Sequence, residues 1–62
     1  MAIVNITIIE GRERDVKNRI IEGVTEVLVR ELNAKPEQVR VVFNEVRDGD
    51  YAVAGKPIFL HR

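Results

Sequence analysis

Apolar and polar positions alternate with a period of two along the first nine residues. Ala2, Val4, Ile6 and Ile8 make a wholly apolar face, while Ile3, Asn5, Thr7 and Ile9 make a mixed one. Such alternation, dense in β-branched side chains, predicts a strand with one face in a core and the other open to a partner or a pocket. Glu10-Gly11 ends it in a turn. From Arg14 to Leu32 the period becomes helical. Val16, Ile20, Val24, Val27 and Leu28 recur at three and four, and Ile21 and Leu32 widen the stripe. Together they cover about 160° of a helical wheel, against ~100° for an ordinary surface helix. The extra width predicts a helix that packs on its own sheet and also meets neighbouring subunits. Glu13 and Asp15 complement the dipole at the helix start, Asn33 suits a left-handed cap, and Pro36 bars continuation.

Alternation returns from Gln38 to Val46, with Val39, Val41 and Phe43 on one face and Arg40, Val42, Asn44 and Val46 on the other. A strand, a long helix and a strand predict a parallel pair joined by a right-handed crossover. Arg47-Asp48-Gly49-Asp50 reads as a turn, Tyr51 to Gly55 as a short strand or hairpin piece, and Lys56-Pro57 as a further turn. Ile58-Phe59-Leu60 is an apolar tail expected to dock, on this subunit or on another. The fold class is α+β, a single β-α-β domain over residues 1–62.

Composition adds one constraint: so short a chain closes its free-energy balance poorly. Surface scaling for 62 residues gives roughly 6,000 Å² buried on folding, a little over half of it apolar. That yields about 90 kcal/mol of hydrophobic gain, and ordering the chain costs about the same. With no cysteine and one histidine, His61, neither disulfides nor a structural metal is expected to help, which leaves oligomerisation. Ten basic and ten acidic residues balance, and three aromatics offer no stacking platform, so nucleic acid is not the expected partner. No apolar run approaches membrane-spanning length and no leader pattern is present, so the expectation is a cytoplasmic protein.

Candidate chemistry is sparse. Serine and cysteine are both absent, no glycine-rich phosphate loop occurs, and Glu13, Asp15, Glu22, Glu26 and Glu31 lie mostly off the apolar stripe as a solvated helix face. Two arginines stand out. Arg12 follows the first strand's turn, and Arg40 sits among valines in the second strand. A guanidinium there calls for either a carboxylate partner across an interface or an anionic ligand, since planar bidentate pairing serves both.

The order of these segments resembles the 4-oxalocrotonate tautomerase family. The match is carried by the short apolar first strand, Ile9-Glu10-Gly11-Arg12, the amphipathic helix, Pro36-Glu37-Gln38-Val39-Arg40-Val41-Val42 and Asp48-Gly49-Asp50-Tyr51-Ala52-Val53-Ala54-Gly55. The resemblance spans nearly the whole chain. It implies a β-α-β tautomerase-like subunit with parallel strands and a short C-terminal hairpin. Dimers would share a four-stranded sheet, and three of them would form a hexamer. It further implies proton transfer in small dicarboxylic enols or keto acids such as 2-hydroxymuconate, without metal or cofactor. By position, Arg12 matches the arginine that engages a substrate carboxylate, and Arg40 the one at the 2-oxo or hydroxy oxygen. Ile9 matches an apolar position beside the substrate, Tyr51 a wall usually made by phenylalanine that keeps the site dry, and Arg62 a basic tail residue of lesser role.

One departure is decisive for function. Family enzymes use an amino-terminal proline as the base, whereas Ala2 occupies that position and no proline precedes Pro36. The favoured expectation is a subunit of a heterohexamer, in which a homologous subunit carries the proline. The alternatives are a homohexamer weakly active through a primary amine at Met1 or Ala2, an engineered variant lacking its base, and a non-catalytic structural subunit.

Overall fold

A computed structural model describes residues 1–60. Strand β1 (Ala2–Ile9) leads into helix α1 (Arg14–Leu32), a 3-10 turn over Pro36–Gln38, strand β2 (Val39–Val46), and a hairpin of β3 (Tyr51–Val53) and β4 (Lys56–Ile58). β1 and β2 pair in parallel, from Ala2 opposite Val39 to Ile9 opposite Val46. The register places Ala2, Val4, Ile6 and Ile8 on the same face as Val39, Val41, Phe43 and Glu45, and α1 lies against this face. Ile3, Asn5, Thr7 and Ile9 line up with Arg40, Val42, Asn44 and Val46 on the opposite face.

Both ends of α1 follow local rules. Its N-cap, Glu13, makes no side-chain capping bond, so the start rests on Asp15 in the first turn and on tertiary contacts. At the far end Asn33 takes the left-handed conformation, φ 52° and ψ 41°, and its N–H donates to the Val29 carbonyl. The predicted carboxylates Glu13, Asp15, Glu22, Glu26 and Glu31 are all exposed.

Two sequence-based boundaries move. Gln38 closes the 3-10 turn rather than opening β2, because its side chain accepts from the Lys35 N–H at 3.0 Å and its own N–H donates to the Lys35 carbonyl at 2.9 Å. Lys56-Pro57 is strand and not turn, with Ala52 opposite Pro57 and Val53 opposite Lys56. The reversal falls instead on Ala54 and Gly55, both at positive φ (54° and 79°), the backbone that a two-residue hairpin with right-handed twist requires. Pro57 is tolerated because a two-stranded ribbon has only edge strands. The tail is tethered through its backbone, the Leu60 N–H donating to Asp48 Oδ1 at 2.6 Å, while Phe59 and Leu60 stay exposed in this subunit.

The subunit leaves its core unfinished. Val39 is the buried apolar residue among the described positions, and no side chain there is wholly enclosed. Accessible surface is 4,957 Å², where scaling gives about 4,100 Å² for a folded monomer of this mass. The radius of gyration is 14.5 Å, against about 10.5 Å for a compact chain of this length. The wide stripe of α1 is half satisfied, with Val27 44% and Leu32 59% exposed beyond its contact with the sheet.

Candidate active site

Parallel strands give the sheet a direction, and the expected site residues divide between its two ends. At the carboxyl ends of β1 and β2 a cavity of about 350 Å³ is lined by Thr7, Ile8, Ile9, Arg12, Val46 and Tyr51. Three expected residues, Ile9, Arg12 and Tyr51, meet there. Ile8, Ile9 and Val46 are the apolar residues of its lining, and Thr7, Tyr51 and Arg12 the polar ones. Tyr51 is 50% exposed, so it borders the cavity without sealing it. Arg12 is exposed and, among the described residues, has no carboxylate within ion-pair distance.

The turn that carries Arg12 is fastened to the end of β2. The Glu10 N–H donates to the Val46 carbonyl at 2.9 Å, and the Asp48 N–H donates to Glu10 Oε2 at 3.2 Å. Gly11, at φ 110°, supplies the reversal between them in a conformation few other residues adopt.

Ala2 and Arg40 stand at the other end. Ala2 is opposite Val39, and Arg40 is opposite Ile3. Arg40 is exposed, and its Nη1 donates to the Glu37 carbonyl, which holds the side chain against the 3-10 turn. Its setting differs from a strand buried on both faces, since the side of the sheet away from α1 is uncovered in this chain. Each strand is eight residues long, so its first and last residues lie about 23 Å apart at ~3.3 Å per step. Within one chain the structure therefore groups Ile9, Arg12 and Tyr51, and leaves Ala2 and Arg40 at the other end of the sheet, on opposite faces. Arg62 and His61 lie outside the described residues.

Thr7, Ile8 and Val46 were not among the expected site residues. Thr7 and Val46 share the parity of Ile9 on the mixed face of their strands, and that is the signal that would have found them. Among the described residues no three histidine, aspartate or glutamate side chains stand together as metal ligands, and no helix is long and apolar enough to cross a membrane.

A parallel β-α-β subunit with a short antiparallel hairpin and one uncovered sheet face is the fold of the small tautomerases. The chain belongs to the tautomerase enzyme family, whose family model matches residues 3–59, and is an isomerase of keto–enol tautomerase type. A probable tautomerase of Halalkalibacterium halodurans is 41% identical over 58 residues, covering 94% of this chain and 95% of the relative. The 2-hydroxymuconate tautomerase of Pseudomonas putida is 35% identical, covering 92% and 90%. Among solved structures, a 4-oxalocrotonate tautomerase isozyme of Methylibium petroleiphilum superposes with a TM-score of 0.83 at 34% identity, covering 89% of this chain and 86% of that one. A subunit of a heterohexameric 4-oxalocrotonate tautomerase from Chloroflexus aurantiacus shares the fold with a TM-score of 0.85 at 22% identity, covering 94% of each chain.

Proposed function

We propose that this chain is a subunit of a hexameric, cofactor-independent tautomerase acting on small unsaturated 2-hydroxy or 2-oxo dicarboxylates, with the proline base supplied by a homologous partner subunit. The observation that carries this reading is the separation of the two arginines. A six-carbon diacid is far shorter than the roughly 23 Å between the ends of β1, so a site that uses both ends must draw them from different chains. By the family resemblance Ala2 falls where the proline base would stand, which on this reading leaves the base to a partner. The Chloroflexus relative is an assembly of mixed subunits on this fold, and the Pseudomonas relative is named for 2-hydroxymuconate.

In such a site the reaction moves one proton. The partner's amine takes it from the 2-hydroxyl of the dienol and returns it to a chain carbon, leaving the 2-oxo product. Negative charge gathers on the 2-oxygen in between, where the Arg40 guanidinium, held by the Glu37 carbonyl, is ready to receive it. Arg12 engages the remote carboxylate as a planar fork, and the apolar side chains of Ile8, Ile9 and Val46 limit water around the diene.

The test is to purify the chain alone and together with a proline-bearing homologue, then assay 2-hydroxymuconate ketonisation and weigh the intact complexes by native mass spectrometry. Turnover is expected only in mixed complexes. Strong turnover by this chain alone overturns the proposal.

A second reading has one observation in its favour, the register that pairs Ala2 with Val39 and so brings the amino terminus to the end of the sheet where Arg40 pairs with Ile3. A primary amine there, in a homohexamer, would act as a weak base and form imines with keto acids. Borohydride trapping with a 2-oxo acid checks it: an unmodified amino-terminal peptide rules it out.

A further inference from the structure

Lys17 is the buried charged residue among the described positions, 6% exposed in a subunit that buries little else. Its Nζ lies 2.5 Å from Glu45 Oε1 and 5.3 Å from the centre of the Phe43 ring. Both partners sit on the helix-facing side of β2, where the pattern otherwise places Val39 and Val41. The Glu45 side chain is 41% exposed, so one end of the pair is wet.

Stability alone accounts poorly for the pair, because a buried ion pair often does no better than well-packed apolar side chains of similar size. Its position offers a different account. The turn Glu10–Glu13 carries Arg12 and joins β1 to α1. On the strand side two hydrogen bonds fix it to the end of β2, from Glu10 N–H to the Val46 carbonyl and from the Asp48 N–H to Glu10 Oε2. On the helix side no capping side chain fixes it. There the first helical hydrogen bond runs from Lys17 N–H to the Glu13 carbonyl at 3.2 Å, and the Lys17 side chain ties that same turn of helix to Glu45. The Arg12 loop thus rests at both ends on one short stretch, Glu45 to Asp48. An apolar side chain at position 17 would pack against Phe43 while leaving the first turn free to slide and rotate. The ion pair, with its directional geometry, sets one position.

We infer that the Lys17–Glu45 pair is a positioning device that aims Arg12 into the cavity at the strand ends, with neither residue touching substrate. This rests on the reading of Arg12 as an anion-binding residue. The probe is adipate, a saturated six-carbon dicarboxylate, titrated into the full chain in its native assembly and followed by NMR at the Thr7 and Val46 amides and at Arg12 Nε–H. K17M keeps an apolar stem of similar length and removes the charge. It is expected to weaken adipate binding about three- to tenfold, a fraction of the ~10²-fold that a 1 Å misplacement can cost. In an R12A background K17M should change nothing further, and the charge-swapped K17E/E45K should recover at least half of the loss. E45Q, altered at the wetter residue, should show the same direction with a smaller size and covers the case in which K17M fails to fold.

A folded K17M that binds adipate within twofold of the unaltered chain, while R12A weakens binding, overturns this inference alone. So does a K17M loss that persists unchanged in R12A, because the pair would then act on packing in general. Adipate binding indifferent to R12A removes the anion-binding reading itself, and this inference with it.

Discussion

Ile3→Ala tests whether the open face of the sheet is an interface. Ile3 is 60% exposed in the lone subunit and lies on the uncovered side of β1, next to Arg40 in register. Full burial of an isoleucine is worth about 3 kcal/mol, so covering the exposed three-fifths contributes about 2 kcal/mol, nearly all of which alanine forfeits. Spread over one contact per subunit, that is about a 30-fold weaker association. The subunit carries roughly 850 Å² more surface than a monomer of its mass should, close to the ~800 Å² that each partner contributes to a standard interface. Mass photometry and sedimentation velocity over a wide dilution series, with thermal melts at each concentration, measure the effect. The unaltered chain should melt at a temperature that rises with concentration. Ile3→Ala should shift dissociation to about 30-fold higher concentration with the helix content of the associated form unchanged. Because the readout is mass, the nearness of Ile3 to Ala2 and Arg40 does not confuse it. An unaltered chain that stays a 7.1 kDa species at high concentration with a sharp melt would refute the reasoning, as would coincident dissociation curves for the two proteins.

Three further outcomes follow from the same geometry. Arg12→Ala should lower kcat/KM of the proline-complemented complex for a diacid about 10- to 100-fold, the range for a charge-assisted contact of roughly 1.5–3 kcal/mol. The loss for the matching monoacid, lacking the remote carboxylate, should be small, and parallel steady-state assays decide. Val39→Ala removes two carbons at the buried apolar position of β2 and should cost about 2 kcal/mol per subunit in urea unfolding of the assembly. Gly49→Ala should be destabilising by about 1–2 kcal/mol, since residue 49 has φ 90° and its new Cβ would overlap the Phe59 ring. The check is a denaturant midpoint together with loss of the Phe59 ring-current shift at the residue 49 amide.

The first strand and the helix were legible because periodicity alone decides them. Ala2–Ile9 and Arg14–Leu32 follow from spacing, and Asn33 from the chemistry of a left-handed cap. The hairpin was less legible, because Pro57 argues locally for a turn while the backbone freedom of Gly55 places the reversal two residues earlier. Arg12, Ile9 and Tyr51 line one cavity, and nothing local in the sequence says that Arg40 stands at the far end. That follows from parallel pairing and register, which link positions nearly forty residues apart. The Lys17–Glu45 contact went unread although its signal was present. Lys17 falls at helical spacing from Ile20, Ile21 and Val24, and Glu45 shares the parity of Val39, Val41 and Phe43. Opposite charges at two positions that should both be apolar are a pairing pattern.

The common direction of β1 and β2 has a consequence for mixtures of subunits. On the proposed reading the two ends of a chain serve different sites, so damage at one end would silence one site and damage at both ends two. In complexes with the proline-bearing partner, replacing intact chains by R12A chains should then depress activity in proportion to the fraction replaced. Exchange with R12A/R40A chains should bend the curve downward, because each added chain spoils two neighbours' work. The curvature of a simple mixing experiment therefore counts how many sites each chain serves.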